Sequence, residues 1–460
     1  MSEMVALEAH YGVDWDAQTG RLVHPLAAAR AQQRDSQGQP FVVELRGRDG
    51  RVQTVIRSCA AEGVLHVLVV GDLGGVDREY QYVELWKNAL HLRHYRDYRQ
   101  QGVAAAERGA SACFEADITR AGKARLALHG SNGGAFQTQR DVPEPHRTLA
   151  KAAFGNWAAY LEQPASITAP DGAPAPDPTT EAHEGAGHRP SWAGHPGLRP
   201  RHLDALFTAG ARLEDEDYGT AEIQAPEDAG IVRLPTGHII AADPWTLKGR
   251  DEPFTVTVAA GDYRVLIGRM TWTNEGWGEI TGAKLEIQPD RPTATWEPAL
   301  RPGQDPRLLG TGEFYGFGVD TATGCFLDAA VREVFTHDEE PRKALGFEGA
   351  CYASWTDPAT GGSVIAYPSG MGDGSYPVWI GRDISGEVTC LIADMLILNS
   401  AEPVAPTAED ATPYCLPKTE LTSEAPACGP FSAATDHLAQ IRADVATTAA
   451  EVRSRWGQRT

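Results

Sequence analysis

The chain has 460 residues, of which 42% are hydrophobic, and this length predicts two domains with separate cores. Residues 166–460 hold 43 acidic and 22 basic side chains and account for the net charge of −21, because residues 1–165 hold 19 of each. An acidic half repels phosphate groups, so nucleic acid and anionic membranes are disfavoured as its partners, whereas basic partners and divalent cations are not. No apolar run reaches the roughly 18 residues that a membrane-spanning helix needs.

The seven cysteines are scattered and form no CxxC motif. This distribution predicts neither a zinc ribbon nor a disulfide scaffold and favours buried, reduced thiols. The first residues include acidic side chains and no basic, apolar leader, so we expect no signal peptide. The expected location is the cytoplasm.

The first predicted domain, residues 1–163, is rich in β-strands. The Asp-Gly pair at 49–50 predicts the tight turn of a hairpin. Further strands are predicted at 64–70, within 80–98 as two strands about a turn, at 116–119 and at 124–129. The apolar spacing of residues 148–161 predicts an amphipathic helix that closes this domain.

Residues 164–202 are rich in Pro, Gly and Ala and predict a disordered linker. Residues 203–399 predict a second β-rich domain, because turn signals recur about every ten residues, as in sandwiches and barrels. Residues 400–432 predict a second linker, and residues 433–460 a C-terminal helix with an apolar stripe. The predicted fold class is therefore mainly β (α+β), with two β-rich domains of sandwich or barrel type and a few helices.

Two local patterns in the second domain are specific enough to test. Residues 253–273 alternate apolar and polar side chains about an Ala-Gly-Asp turn, which predicts two strands. A helix is predicted to begin near Asp328, whose carboxylate is suited to accept a free N–H of the first turn.

Five segments of the second domain follow one another in a distinctive order: LPTGHIIAADPW, VAAGDYRVLIGR, WEPAL, GEFYGFGVDTATGCFLDAA and SGMGDGSYPVWIGRDISGEVTCLIAD. Over residues from about 231 to 398 they resemble an uncharacterised bacterial family, domain of unknown function 4241. The resemblance implies a bacterial source and no established activity. In the family an aromatic residue often follows the closing acidic position, whereas Met395 follows Asp394 here, so the position after Asp394 is not assigned to a site. The first domain resembles no family.

The loop GMGDGSYP at 370–377 is the first candidate site. Its glycines let backbone N–H groups approach a ligand closely, and Asp373 could bind a cation or orient a hydroxyl group, with Tyr376 beside it. The alternative is a tight loop between strands in which Asp373 forms an Asx-turn. The loop has neither the GxxxxGK[ST] pattern of a phosphate loop nor the alternating acidic residues of an EF-hand.

Six aspartates lie at the ends of predicted strands or in the turns that follow them: Asp243, Asp320, Asp328, Asp373, Asp383 and Asp394. If several converged at one rim, paired carboxylates would suit metal ligation or general acid–base chemistry. The alternative is that each carboxylate caps a turn or a helix. Asp394 lies within an apolar run, where an unpaired carboxylate costs several kcal/mol, so it should be paired or solvent-facing.

Other candidates have weaker patterns. The chain has no GxSxG motif, and Cys325 and Cys351 have only His337 near them in sequence for a Cys–His dyad. His238 could act as a ligand or a base, or be a strand-end residue without a role. The stretch HLRHYRDYR at 91–99 could contact RNA or a phosphate-bearing ligand, or form a solvated edge strand or helix face.

The sequence favours a cytoplasmic binding or interaction module. Its site for a small molecule or protein partner is predicted at the Gly/Asp-rich rim formed by Asp243, Asp320, Asp373, Tyr376, Asp383 and Asp394. No cofactor is predicted, although a divalent cation would suit these carboxylates. The alternative is a metal-dependent or carboxylate-based hydrolase that uses the same aspartates.

Overall fold

A computed structural model describes most of the chain. The described residues are 5–99, 113–129, 135–168, 190–194, 196–247, 251–274, 276–337, 340–347, 351–404, 414–417, 421–424 and 426–457, with the side chains of the last helix described to residue 451. The chain divides into two compact units, one made of residues 1–196 and 420–460 and the other of residues 197–419.

The described residues of the first unit form twelve strands. They are β1 Val5–Asp16, β2 Arg21–Leu26, β3 Phe41–Gly47, β4 Val52–Cys59, β5 Val64–Val70, β6 Val76–Trp86, β7 Ala89–Asp97, β8 Phe114–Ile118, β9 Lys123–His129, β10 Ala135–Asp141, β11 Thr148–Ala150 and β12 Ala165–Thr168. Its helices are α1 Ala28–Ser36, α2 Glu144–Arg147 and, in the last part of the chain, the 27-residue helix Phe431–Gly457; short 3-10 turns lie at Ala60–Glu62, Trp157–Tyr160 and Ser191–Ala193.

These twelve strands form one sheet in the order β10-β9-β8-β7-β6-β5-β4-β3-β1-β12, with β2 paired to β1 and β11 to β7. From β3 to β10 every strand pairs antiparallel with the next one along the chain, as successive hairpins require. The pair formed by β1 and β12 is parallel. The register between β4 and β5 sets Arg57 opposite His66, so side-chain faces are fixed along the whole meander.

One face of this sheet packs against the helix Phe431–Gly457. Side chains from β1 and from each strand β3 to β9 join a single buried cluster together with Phe431, Leu438, Ile441 and Val445 of that helix. A flat sheet of so many strands would be about 40 Å wide at roughly 4.8 Å per strand, so the sheet has to curve around the helix to share one core.

A buried carboxylate ties the same helix to the sheet. Asp97 of β7 is 1% exposed; it accepts hydrogen bonds from the Tyr95 hydroxyl at 3.1 Å and from Arg99 Nη2 at 2.7 Å, and Arg442 Nη1 lies 3.4 Å away. Burial by itself would raise the pKa of Asp97, but the hydrogen bonds and charges of Arg99 and Arg442 outweigh it and leave that pKa lowered. The carboxylate is therefore held in its charged form.

In the part of the second unit that the structure describes there are fourteen further strands. They are β13 Arg212–Asp215, β14 Gly219–Ile223, β15 Glu227–Leu234, β16 Ile239–Ala242, β17 Gly261–Trp272, β18 Gly278–Glu286, β19 Thr295–Pro298, β20 Gly316–Val319, β21 Thr323–Asp328, β22 Ala353–Thr356, β23 Ser363–Pro368, β24 Gly374–Arg382, β25 Val388–Asp394 and β26 Glu402–Pro403. Helices α3 Arg332–His337 and α4 Glu340–Ala344 follow β21, and 3-10 turns lie at Ala205–Phe207, Pro306–Leu308 and Ala329–Val331. The helix Phe431–Gly457 is accordingly α5.

This unit is a layered sandwich. A ten-stranded sheet has the order β19-β24-β25-β18-β17-β14-β13-β26, with β15 on β17 and β20 on β24, and a four-stranded sheet has the order β16-β21-β23-β22. The core between them includes Val265 and Leu391 of the large sheet and Tyr367 of the small one. A second cluster around Trp379 covers the other face of the large sheet, and Phe335 of α3 packs on the outer face of the small sheet.

The predicted fold class is confirmed: both units are mainly β, with few helices and a C-terminal helix. The hairpin about Asp49–Gly50 forms as β3 and β4, and residues 80–98 form strands of the β6–β7 pair. The Asp328 carboxylate accepts the Ala330 N–H at 2.8 Å and caps the 3-10 turn that leads into α3.

Two predicted elements are wrong. Residues 148–161 form β11 and a 3-10 turn instead of a helix, because Thr148–Ala150 pairs with β7 and Gly155 has a φ of 89°, which interrupts a right-handed helix. Residues 254–258 do not form a strand, because the Phe254 N–H bonds to Ile239 and the Thr255 N–H bonds to Leu300, so no single ladder forms.

The arrangement along the chain also differs from the predicted one. Helix α5 is part of the first unit rather than a separate terminal element. Residues 165–168 of the first predicted linker form β12, and residues 402–403 of the second form β26. Residues 169–189 and 405–413 of these two linkers lie outside the described residues. Of the helices in the described part of the chain, none is long and apolar enough to cross a membrane.

We predict that Leu438→Ala lowers the free energy of unfolding of the first unit by about 2–5 kcal/mol, because the side chain is fully buried between α5 and the sheet. Hydrogen exchange with mass spectrometry should show faster exchange in peptides of β5 to β9 and no change in the second unit. Gln440→Ala on the exposed face of α5 is the matched control. Unchanged exchange in Leu438→Ala would contradict the shared core.

Candidate functional site

Two loops of the second unit are joined into one feature, which we call the loop pair: residues 320–322 between β20 and β21, and residues 369–373 between β23 and β24. The Ala322 N–H donates to Oδ1 of Asp373 at 2.9 Å. The Ser369 N–H donates in turn to the Ala322 carbonyl at 3.0 Å. Each loop therefore restrains the other.

Hydrogen bonds within the second loop fix its curvature. The Ser369 hydroxyl and the Tyr376 hydroxyl both donate to the Gly372 carbonyl, each at 2.7 Å. Gly370 has a φ of 61°, and a Cβ atom there would lie 2.8 Å from the Ile280 carbonyl oxygen, so this position needs glycine for conformation and for space. The sequence GMGDG thus encodes a tightly held loop.

Asp243, after β16, supports the first loop from inside. It is 2% exposed, and its carboxylate accepts the Asp320 N–H, the Thr321 hydroxyl and the Trp245 N–H, each at 2.9 Å. Three donors on one carboxylate satisfy the backbone and hydroxyl groups that the turn would otherwise bury without partners.

The two remaining carboxylates of the loop pair face outward. The side chains of Asp320 and Asp373 belong to exposed residues, and Asp373 is engaged with the Ala322 N–H. Among the described residues, no three or more His, Cys, Asp or Glu side chains are arranged to hold a metal ion. The loop pair is therefore a hydrogen-bonded backbone structure rather than a carboxylate cage.

Asp394 is the buried carboxylate in the apolar strand β25. It is 5% exposed; its Oδ1 accepts the Leu396 N–H at 2.9 Å and its Oδ2 accepts the Trp379 indole N–H at 3.3 Å. Burial raises the pKa of Asp394 to about 6, and the two hydrogen bonds reduce this effect only in part. The expectation that it would be paired or solvent-facing is met by pairing with two neutral donors.

Asp383 sits in the turn between β24 and β25. Its carboxylate accepts the Ser385 hydroxyl at 2.6 Å and Arg291 Nη1 at 2.7 Å, and these bonds hold the pKa of Asp383 well below its usual range. Asp328, which is fully buried, accepts the N–H and hydroxyl of Thr236 in addition to the cap at Ala330. Both aspartates hold loops in place.

The structure brings together only part of the predicted rim. Asp243, Asp320, Asp373 and Tyr376 meet at the loop pair. Asp383 lies beyond the opposite end of the nine-residue strand β24, about 30 Å away at roughly 3.3 Å per residue. Asp394 lies at the near end of β25, but it bonds Trp379 on the face of the sheet opposite to Tyr376.

The nucleophile candidates have unreactive surroundings. Cys325 is fully buried, and burial raises the pKa of its thiol far above the usual value. Burial and the neighbouring Glu227 raise the pKa of Cys351 to about 11. The thiolate is the nucleophilic form, so both thiols are poor nucleophiles near neutral pH. The His238 N–H bonds to the Thr236 hydroxyl at 3.2 Å, which places it at the Asp328 turn.

The basic and aromatic stretch 91–99 forms most of β7, which lies inside the sheet, so the reading as a solvated edge strand or helix face is wrong. Its Arg96 bonds Glu115 at 2.7 Å, Arg99 bonds Asp97, and Tyr95 is 1% exposed in the core. Carboxylates of the same unit therefore already hold these two guanidinium groups.

Sequence reasoning missed an exposed apolar side chain of the loop pair. Met371, between Gly370 and Gly372, is 62% exposed. An apolar residue between two glycines in an exposed loop is the available signal, since methionine is an adaptable contact residue. Thr321, which bonds Asp243, gave no such signal because threonine is common in turns.

Residues 232–393, within the second unit, match the family described as protein of unknown function (DUF4241). The match confirms the resemblance and contains the loop pair, Asp243 and Asp383, and it ends one residue before Asp394. The first unit has no family match. No curated protein and no solved structure matches the chain.

We predict that Asp243→Ala loosens the loop pair and lowers the stability of the second unit by about 1–3 kcal/mol, because two N–H groups and a hydroxyl lose their buried acceptor. Peptides covering residues 318–324 should exchange hydrogen faster. Asp243→Asn keeps one acceptor oxygen and should have a smaller effect, and Asp290→Ala at an exposed position should have none. Equal exchange in all three variants would show that the carboxylate does not hold the turn.

We also predict a pH dependence that belongs to Asp394. Its pKa is about 6 in the folded chain against 3.8 for the free group, so the folded state binds the proton more tightly. The resulting stability of about 3 kcal/mol is full below pH 3.8 and is lost as the pH rises through about 6. The melting temperature of the second unit should therefore fall between pH 4 and pH 7 in the parent chain, and less so in Asp394→Asn. Identical slopes in both proteins would assign the effect to other groups.

Proposed function

We propose that the chain is a binding protein whose second unit recognises a protein partner through the loop pair. The observation that carries the proposal is the combination of a loop restrained by several hydrogen bonds with an exposed methionine in its centre. A flexible loop would lose conformational entropy on binding, whereas this one is already ordered by Asp243, Asp373 and Ser369. Preorganisation of this kind increases affinity without additional contacts.

The side chains that the loop pair presents suggest the chemistry of the partner. Met371 offers an adaptable apolar contact, and Asp320 and Asp373 flank it with negative charge. The second unit as a whole holds 34 acidic and 17 basic side chains. A partner with a basic surface around an apolar recess would meet complementary charge and associate faster.

We place this function in the cytoplasm of a bacterium. All seven cysteines are free thiols, which suits a reducing compartment. The bacterial source is the one that the family resemblance implies.

The alternative, a hydrolase that uses the same aspartates, has less support from the geometry. Asp243, Asp328, Asp373 and Asp383 accept backbone N–H groups, so proton transfer or metal ligation would compete with the bonds that hold the loops. Asp394 has a pKa suited to acid–base chemistry, but it is buried beside Trp379 and has no second carboxylate bonded to it. Binding therefore stands as the first proposal.

The test places a photo-crosslinking residue, p-benzoylphenylalanine, at Met371 in the full chain expressed in a bacterial host. We expect one crosslinked product of defined mass, whose partner, identified by mass spectrometry, carries a net positive charge. The same residue at Ile384, which is 96% exposed on a different turn, is the matched control and should give no such product.

A second arm separates binding from catalysis. Asp373→Ala removes the acceptor of the Ala322 N–H and should reduce the Met371 crosslink, whereas Asp394→Asn should leave it unchanged. Equal crosslinking from Met371 and Ile384, or none from either, would overturn the proposal. Stoichiometric Ca, Mn or Zn in the purified protein, lost in Asp373→Ala, would favour the hydrolase instead.

A further inference from the structure

The first unit contains a cavity of about 450 Å³ that is separate from the loop pair and open on one side. It lies where the ends of β1, β4, β5, β6 and β12 meet the segment after the 3-10 turn Trp157–Tyr160. Its wall mixes polar and charged side chains with aliphatic ones. The polar and charged ones are Asp49, Arg51, Gln53, Thr54, Asp72, Arg78, Glu162 and Gln163, and the aliphatic ones are Val5, Leu7, Val52, Val69, Val70, Leu161 and Ala165. A space of this size holds a small organic molecule.

Two ion pairs line this cavity, and the pair formed by Arg78 and Glu162 is far less exposed than the pair formed by Arg51 and Asp49. The guanidinium of Arg78 on β6 contacts Oε1 of Glu162, and the Tyr80 hydroxyl donates to the same oxygen at 3.0 Å. The two charged side chains are 17% and 23% exposed. Alternation along β6 places Arg78 on the same face as Tyr80, which is fully buried in the core of the unit.

Both members of the pair keep hydrogen-bonding capacity. The Nε–H of Arg78 is buried and has no acceptor among the described residues. Glu162 accepts from Arg78 and from Tyr80 through Oε1, and its side chain lines the cavity and is 23% exposed, so part of the carboxylate remains accessible there. Because this Nε–H is shielded from solvent, a ligand in the cavity would meet the guanidinium through the part of the Arg78 side chain that is exposed, 17% of it.

The opposite charges of the pair limit the chemistry of that ligand. An anion near Arg78 also meets the repulsion of Glu162, and a cation near Glu162 meets that of Arg78. A molecule with separated opposite charges is attracted by both, since each of its charges lies beside its opposite. The aliphatic wall adds a place for an uncharged side group.

We propose that this cavity binds a small zwitterion with an apolar side group, a free α-amino acid or a dipeptide, whose carboxylate meets Arg78 and whose ammonium group meets Glu162. The site lies in the unit without a family match and does not depend on the loop pair. It would give the chain a second binding function, for a metabolite rather than a protein.

The test is calorimetric titration of the full chain with L-leucine, L-phenylalanine and L-leucyl-L-leucine at millimolar concentrations. At least one should bind saturably with one site per chain. N-acetyl-leucine lacks the ammonium group and leucine amide lacks the carboxylate. Each should therefore bind at least about tenfold more weakly than leucine, a difference of about 1.4 kcal/mol in binding free energy. The leucine and dipeptide titrations distinguish the two sources of the zwitterion.

Variants assign the charges to residues. Arg78→Gln should weaken the binding of leucine about tenfold or more and leave the binding of leucine amide, which has no carboxylate, nearly unaffected. Glu162→Gln should also weaken the binding of leucine, and it should leave the binding of N-acetyl-leucine, which has no ammonium group, nearly unaffected. Arg140→Gln, on the exposed strand β10, is the matched control and should bind like the parent chain. Circular dichroism verifies that each variant is folded, and the capped ligands test the proposal on the parent chain if a variant is not.

Two results would overturn the proposal. One is the absence of saturable binding for all three zwitterions. The other is equal affinity of the parent chain for leucine and for both capped forms, which would mean that the cavity recognises only the apolar group. Neither result bears on the crosslink from Met371.

Discussion

Buried backbone N–H groups at the ends of strands need acceptors, and in the second unit aspartate carboxylates supply them. Asp243, Asp328 and Asp373 each accept an N–H from a turn that is remote in sequence or just begins a helix. Leaving the groups that the buried Asp243 and Asp328 accept without partners would cost about 1–3 kcal/mol each, whereas water can replace Asp373 at the exposed Ala322 N–H. The layered sandwich thus depends on acidic residues at particular turns, and part of the negative charge of this unit is structural rather than available for ligands.

In the first unit, the stability of the sheet depends on covering its apolar face. A meander of hairpins has one apolar face that no second sheet covers, and α5 fills that face with Phe431, Leu438, Ile441 and Val445. The sheet curves around the helix, and the Asp97–Arg442 contact adds a charged link at the end of β7. Where the curved sheet ends, side chains no longer meet across the core, and the cavity that contains Arg78 and Glu162 opens there.

Much of the fold follows from local sequence patterns. Alternation and turn residues predict β3 to β9, and the ordered motifs of residues 231–398 predict the family match. The helix predicted at 148–161 does not form, because Thr148–Ala150 pairs with β7, and this tertiary pairing decides the structure there rather than the helical spacing of the apolar residues. The six-residue rim was predicted as one site because strand ends can converge, but only the register of β24 and β25 decides that Asp383 lies far away and that Asp394 faces the other side of the sheet. Arg78 escaped notice because its use depends on Glu162, 84 positions later, which local reasoning does not bring near it.

The path of the chain through the units has a consequence for synthesis on the ribosome. The second unit lies entirely between residues 197 and 419, whereas the first unit begins at the start of the described chain and requires α5 near its end. During translation the second unit is therefore complete before the first, reversing the usual N-terminal-first order. Until α5 emerges, the nascent meander exposes its apolar face and strand edges for the time needed to translate more than two hundred residues. A chaperone bound near the ribosome exit could cover that face. Such protection against aggregation would be more important for this chain than for a chain whose domains follow each other in sequence.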